Sequence, residues 1–371
     1  MATSIRPVMR PLVDPGFWRG RAVLLTGHTG FKGAWLALWL QAMGARVTGL
    51  SDRVPTTPSL YELAHVADGM KDDIRADVRD HDAVLAAFAA AEPEVVIHMA
   101  AQAFVRRSFA DPRTTYETNV MGTVNVLEAV RATPSVRVVV NVTSDKCYDN
   151  SHAREPRPFV EDDPKGGHDP YSNSKACADL VADAYLRSYF QAAEGGPRLA
   201  SARAGNVIGG GDWGEDRLIP DVMRGALHGA PIAIRNPEAV RPWQHVLNPL
   251  SGYLRLAQAL HGSAEAQGGW NFGPALDDAR PVRAIADRMS DLWEGALEWE
   301  IDPGVHPHEA HFLALDSSKA REGLGWRPSW TLDDALAAIV AWYAALRDGE
   351  DLRAVTLAQI RAFEAAAAAL V

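Results

Sequence analysis

Short apolar runs alternate along the chain with longer segments whose apolar positions recur every three to four residues. Residues 22–26 are apolar and lead into glycines. Residues 31–43 follow with helical spacing, then Gly44 and a second strand-like run at 46–50. Strand, tight turn, helix and strand make a βαβ unit. The rhythm continues with helices at 80–91, 113–132 and 171–190. Strands fall at 95–99, at the valine-rich 136–142, and at 199–203. Such alternation predicts an α/β fold, a doubly wound Rossmann-type parallel sheet covered by helices on both faces.

After about residue 206 glycines and prolines become frequent, and the rhythm breaks. The expected organisation is a dinucleotide-binding domain over 15–205, with returns to it near 243–272. A smaller, irregular substrate domain follows over 206–345, then a peripheral Ala-rich helix over 346–371. The formal net charge of -10 argues against a nucleic-acid partner, so any phosphate site must be built locally from backbone amides and a few Arg or Lys. The two cysteines, Cys147 and Cys177, form no CxxC spacing. No apolar run is long enough for a membrane span, and the first twenty residues lack a signal-peptide core. A cytoplasmic protein is expected.

TGHTGFKG sets Gly27, Gly30 and Gly33 between the first strand and its helix. Glycines there allow a tight turn, close approach of backbone to a pyrophosphate, and close helix–strand packing. The helix N-terminus then offers free amides to the phosphates. The spacing is GxxGxxG rather than GxGxxG, and its weight comes from following a strand directly. Asp52, about 20 residues on, stands where an acid binds the adenosine ribose. Arg53 beside it could instead meet a 2′-phosphate; NAD is favoured over NADP. Asp77 could contact the adenine or be a solvated surface carboxylate.

Tyr171 and Lys175 in PYSNSK are four apart on a helix and share a face. A nearby ammonium lowers the phenol's pKa from about 10 and makes a base of it. Upstream, the 136–142 strand runs into Thr143, Ser144, Asp145 and Lys146, at the carboxyl edge where open α/β sheets bind ligands. Ser144 can hydrogen-bond a reacting hydroxyl, Asp145 can serve as an acid and Lys146 as a base. The alternative is a surface salt bridge in a turn.

Together with HMAAQ (98–102), RAGNVIGGGDW (203–213), RPWQHV (241–246) and LGWRP (324–328), these motifs resemble the extended short-chain dehydrogenase/reductases over about residues 17–328. Within that family TSDKCYDN (143–150) is similar to the branch of nucleotide-sugar 4,6-dehydratases acting on CDP-glucose, where an Asp-Lys pair replaces Asp-Glu. The resemblance implies further cofactor contacts at Thr29, Phe31, Val78, Ala100, Ala101, Gln102 and Asn119. It implies substrate contacts at Asn206, Arg241, Asn271 and His308.

The implied reaction is redox-neutral. Tyr171 takes the carbon-4 hydroxyl proton as hydride passes to NAD, water is lost across carbons 5 and 6, and the hydride returns to carbon 6. Lys146 must lose its proton to act as the base, through burial or the cofactor's positive ring. The cycle needs no metal, so His306, His308 and His311 are not assigned to one. A 4-epimerase, a dTDP- or GDP-sugar dehydratase and a non-catalytic cofactor-sensing scaffold are the rival readings. The partner is a nucleotide-sugar, with CDP-glucose favoured. A homodimer is expected on two helical stripes, Val120, Val124, Leu127 and Val130 with Leu180, Val181, Ala184 and Tyr185.

Overall fold

A computed structural model describes residues 12–149, 157–191, 195–293, 298–302, 304 and 313–370. Its centre is a seven-stranded, all-parallel sheet. In chain order its principal elements are β1 (Ala22–Thr26), α1 (Phe31–Ala42), β2 (Arg46–Ser51), β3 (Asp72–Arg75), α2 (His81–Ala91), β4 (Val95–His98), α3 (Gly122–Ala132), β5 (Val138–Val142), α4 (Pro170–Tyr185), β6 (Arg198–Arg203), α5 (Leu247–Gly262), β7 (Gly268–Asn271) and α6 (Leu352–Ala369). The strand order is β7-β6-β5-β4-β1-β2-β3. Chain direction across the sheet reverses between β1 and β4, where doubly wound sheets open a crevice for ligands.

The strands are apolar almost throughout because both faces are covered. Val23 and Leu25 of β1 join one core cluster and Leu24 joins the other. In β5, Val138, Val140 and Val142 face the first cluster and Val139 the second. Trp35 and Trp39 anchor α1 in the first cluster, and Trp35 Nε1 donates to the Gly210 carbonyl at 2.9 Å.

Two of the expected helices are each interrupted. The 113–132 segment is Pro112–Tyr116, a wider π-type turn at Glu117–Met121, then α3. The 171–190 segment ends in a similar turn at Leu186–Phe190. α6, expected at the periphery, instead buttresses α1. Ile360 and Phe363 are buried, Trp39 Nε1 donates to Glu364 at 2.8 Å, and Arg353 donates to Gln41 at 2.9 Å. The apolar stripe of an Ala-rich helix needs a receiving surface, and composition alone does not show which one. Among the described residues no helix is long and apolar enough to cross a membrane.

Candidate active site

The loop after β1 is shaped by what cannot fit in it. Gly27 has φ +76°, and a Cβ there would fall 2.8 Å from the Ala100 backbone nitrogen across the β1/β4 crevice. A Cβ at Gly33 would lie 2.1 Å from the Gly27 carbonyl oxygen. Both positions therefore require glycine. The cleft they open is lined by Gly27, Thr29, Gly30, Asp52, Arg53, Asp77, Val78, Ala100, Ala101 and Gln102, all singled out from sequence. Arg79 joins them, and its hydrogen bonds to Asp77 (2.6 and 2.9 Å) hold that carboxylate below its usual range. Arg53 pairs with Asp52 at 3.2 Å, and its carbonyl accepts from the Thr29 hydroxyl at 2.6 Å.

Three expected cofactor residues support the cleft from behind. Gly33 packs under the turn, and the Phe31 ring lies against Gly209. Asn119 is buried. Its carbonyl accepts from Gln102 N at 2.8 Å, and its amide donates to Ser174 Oγ at 2.8 Å and to the Gln102 carbonyl at 3.1 Å. It therefore ties the cofactor loop to the helix that bears Tyr171 and Lys175. His98 is a hub of the same kind. Its ring bonds Thr26 Oγ1 (2.7 Å) and Thr123 Oγ1 (3.2 Å), and burial with Lys175 nearby lowers its pKa to about 3.

At the end of β5 the turn brings Ser144 and Asp145 close to Tyr171, with Lys146 next along the chain. Ser144 Oγ donates to Asp145 Oδ1 at 2.9 Å, and the Ser144 side chain also hydrogen-bonds the Tyr171 phenol. Burial raises the Asp145 pKa, partly offset by the Lys146 and Arg241 charges and the Ser144 bond. Gly205 makes room for this carboxyl, since a Cβ there would sit 1.7 Å from Asp145 Oδ2. In RAGN the sequence points to the asparagine, and the glycine is one of the residues that sequence reasoning misses.

The expected link between Lys175 and Tyr171 takes a different form. Lys175 Nζ donates to the Val142 carbonyl at 2.9 Å, and burial lowers its pKa to about 8. The phenol stands above its ordinary value, pushed to about 12 by burial, with Ser144 and the Arg217 guanidinium pulling it down. Arg217, unassigned from sequence, pairs with Asp212 at 3.1 Å and lies 5.2 Å over the Phe104 ring. Lys32, read only as part of the glycine loop, donates to Tyr253 Oη at 2.9 Å.

In the second half of the chain, Asn206 has φ +44°, and its buried amide nitrogen has no hydrogen-bond partner among the described residues. Arg241 borders an apolar cavity of about 200 Å³ walled by Pro158, Pro242, Pro274, Leu276 and Leu315, among others. Asn271, expected at the nucleotide, is fully buried in the scaffold. It accepts from Tyr148 Oη at 2.7 Å and donates to the Phe159 carbonyl at 2.9 Å. Its groups are spent on joining β7 to the 157–161 segment, a partnership set by distant chain that WNFGP does not announce. His308, with His306 and His311, lies outside the described residues.

Residues 24–339 match the profile described as GDP-mannose 4,6 dehydratase. The chain belongs to that family. A CDP-glucose 4,6-dehydratase of Salmonella typhimurium is 51% identical over 349 residues, covering 92% of this chain and 95% of that protein. A dTDP-glucose 4,6-dehydratase of Xanthomonas campestris pv. campestris is 30% identical over 338 residues, 86% and 92% of the two chains. Among solved structures, DesIV, a dTDP-glucose 4,6-dehydratase from Streptomyces venezuelae with NAD and TYD bound, superposes with TM-score 0.74. It is 26% identical and covers 89% of this chain and 99% of its own. The resemblance to extended short-chain dehydrogenase/reductases is thereby borne out.

Proposed function

We propose that the protein is an NAD-dependent lyase that converts CDP-glucose to CDP-4-keto-6-deoxyglucose and water. The observation that carries this reading is Asp145. A buried carboxyl with a raised pKa, hydrogen-bonded through Ser144 to the neighbourhood of Tyr171, adds a proton donor to an alcohol-oxidising pair. The 51% identity to the Salmonella protein supports CDP as the nucleotide.

The glycine cradle of Gly27 and Gly33 fits a dinucleotide pyrophosphate at the start of α1. NAD, when bound, supplies a reversible hydride acceptor and a positively charged ring. Asp52 would take the adenosine ribose, with Asp77 and Val78 beside the adenine. Tyr171 would accept the carbon-4 hydroxyl proton while Ser144 holds that oxygen. Lys175 keeps a cation behind the pair, and Arg217 supplies one beside the phenol. Asp145 would protonate the departing carbon-6 hydroxyl, and Lys146 would remove the carbon-5 proton. Asn206 and Arg241 would receive the diphosphate, with the apolar cavity beside Arg241 suited to the nucleoside. Lys146 and Arg241 near Asp145, and Arg217 near Tyr171, supply local positive charge in an acidic protein, as a diphosphate substrate needs.

Turnover of CDP-, dTDP-, UDP- and GDP-glucose, with products identified by mass, tests the assignment. CDP-glucose is expected to lose water fastest, and deuterium placed on carbon 4 is expected on carbon 6 of the product. Faster conversion of another nucleotide-glucose overturns the choice of CDP. Build-up of NADH with a simple ketone overturns the dehydratase.

The same reading includes a cytoplasmic homodimer. Both cysteines are free thiols, as a reducing compartment allows. Leu127 and Val130 pack into the core, but Tyr116, Met121, Leu180 and Tyr189 expose apolar surface along two adjacent helical segments. A second copy of the same pair would cover them as a four-helix bundle. Light scattering at micromolar concentration is expected to give twice the 40.2 kDa monomer mass; the monomer mass excludes it.

A further inference from the structure

Ser108 sits fully buried in the short helix Val105–Ala110. Its Oγ donates to the Val105 carbonyl at 2.6 Å and accepts from the Tyr171 backbone N–H at 3.1 Å. The N-terminus of α4 explains why that amide needs an outside partner. The first N–H groups of a helix have no earlier carbonyl of their own to bond. In α4, Pro170 has no N–H. The Ser172 N–H is taken by the Asp169 carboxylate at 2.9 Å, and the Asn173 N–H by the Asp169 carbonyl at 2.9 Å. The Tyr171 amide lies between these and goes to Ser108. Tyr171 is thereby held at both ends, its phenol by Ser144 and its main chain by Ser108.

The segment that carries Ser108 is also a wall of the cofactor cleft, lined there by Phe104 and Arg107. Phe104 is locked to Gln102. Its N–H donates to Gln102 Oε1 at 2.6 Å, and its carbonyl accepts from Gln102 Nε2 at 3.1 Å. A loop of the second half grips the same segment from outside. Arg106 pairs with Asp216 at 3.2 Å, and the Arg217 guanidinium lies 5.2 Å from the centre of the Phe104 ring. The Arg106–Asp216 pair is partly exposed and contributes little alone, so the Gln102 clamp and the ring contact carry most of the hold. One face of residues 104–108 thus borders the cofactor, and the buried hydroxyl behind it holds the base.

We propose that Ser108 is a positioning residue for the oxidation at carbon 4. It ties the Tyr171 backbone to the 104–108 wall, so that one segment sets the base against the cofactor. The proposal rests on Tyr171 being the group that takes the carbon-4 hydroxyl proton. That proton and the hydride leave the same carbon–oxygen unit, one to the phenol and the other to NAD. Base and coenzyme must therefore keep a fixed separation, and a misplacement of about 1 Å can cost on the order of 10²-fold.

Ser108→Ala removes the acceptor and leaves the Asp169 cap of α4 intact. Its kcat is expected to fall roughly 10-fold, with KM for CDP-glucose within about twofold of wild type. The isotope effect from deuterium on carbon 4 is expected to rise, because the step that needs the base becomes slower. A merely structural serine would reduce the folded fraction and leave the isotope effect alone. That result, or an unchanged kcat, overturns the proposal. Ser108→Thr keeps the hydroxyl and is expected to restore both values; a folded Thr variant that behaves like Ser108→Ala counts against the hydrogen bond.

A readout without turnover is hydrogen exchange at the Tyr171 amide, measured with and without added NAD. In wild type, NAD is expected to slow that exchange by steadying the 104–108 wall. In Ser108→Ala the amide is expected to exchange faster and to be indifferent to NAD. Equal protection by NAD in both proteins, or none in wild type, overturns the proposal. Should Ser108→Ala not fold, Ser108→Cys places a weak acceptor in a similar volume and is expected to give the same pattern at smaller amplitude. Exchange like wild type in that variant overturns the bond. If wild-type protein dehydrates no nucleotide-linked glucose, the functional reading falls, while the exchange measurement still decides whether Ser108 ties Tyr171 to the cofactor wall.

Discussion

Two buried carboxylates stand at neighbouring places beside β5, and their surroundings give them opposite properties. Asp179, on α4, receives two hydrogen bonds from Arg203 (both 2.8 Å), one from the Thr143 hydroxyl (2.9 Å), and the Lys165 ammonium at 3.2 Å. Burial pushes its pKa up, but these partners outweigh burial and leave it below the ordinary value. Asp145, in the turn after β5, has one hydroxyl bond from Ser144 and more distant cations, so burial wins and its pKa rises. A saturated carboxylate is an anchor and an under-partnered one is a proton donor. Arg203 extends the anchor to Tyr148 (2.6 Å) and to the Glu161 carbonyl (2.9 Å), so the Asp179 network fixes the very turn that presents Asp145.

The difference can be broken from the reactive side first. Asp145→Asn is expected to lower kcat by ~10²–10⁴-fold, the usual cost of a lost acid, with the fold kept. Lys146→Ala should cost a similar factor while sparing nucleotide binding, measured by calorimetry. Near-normal turnover would return the Asp145–Lys146 turn to a plain salt bridge. Asp179→Ala attacks the anchor. It strands a guanidinium that is 1% exposed and is expected to cost about 3–5 kcal/mol in denaturant unfolding. Unchanged unfolding would remove Asp179 from the scaffold.

The smallest effect is the most diagnostic, because the two residues should give pH dependences of opposite sign. Asp179 has a depressed pKa, so its stability contribution is present above the unfolded value of about 3.9 and fades as pH falls through the folded one. Asp145 has a raised pKa, so its contribution is complete below about 3.9 and is lost as pH rises through the folded value. Relative to wild type, Asp145→Asn should therefore gain in melting temperature as pH climbs above 4. Asp179→Asn should lose most near neutrality and least in acid. Parallel curves for the two variants would refute the contrast.

Much of the site was legible because it is local. Gly27 and Gly33 announce themselves through a turn that no side chain fits. Tyr171 and Lys175 share a helix face by spacing alone, and Ser144–Lys146 follow a strand into a sheet's carboxyl edge. The core strands were equally readable, since a parallel sheet covered on both faces must be apolar at successive positions. Other residues were hidden because their partners are far away in sequence. Asn271 carries the motif of a ligand contact, yet it is consumed by Tyr148 and Phe159, more than a hundred positions upstream. Gly205 matters only because Asp145 lies against it.

The sequence by itself determined the alternation of strands and helices, the glycine cradle and the identity of the reacting side chains, because periodicity, steric need and functional-group chemistry act over a few residues. Only the tertiary structure decided which charges face one another. Lys32, Asp145, Lys175, Arg217 and Tyr253 come from five separate segments, and their protonation depends on burial and on fields that no single segment contains. The same holds for α6, whose apolar face is written in its sequence but whose place against Trp39 and Phe363's neighbour Trp330 exists only once the chain has closed on α1.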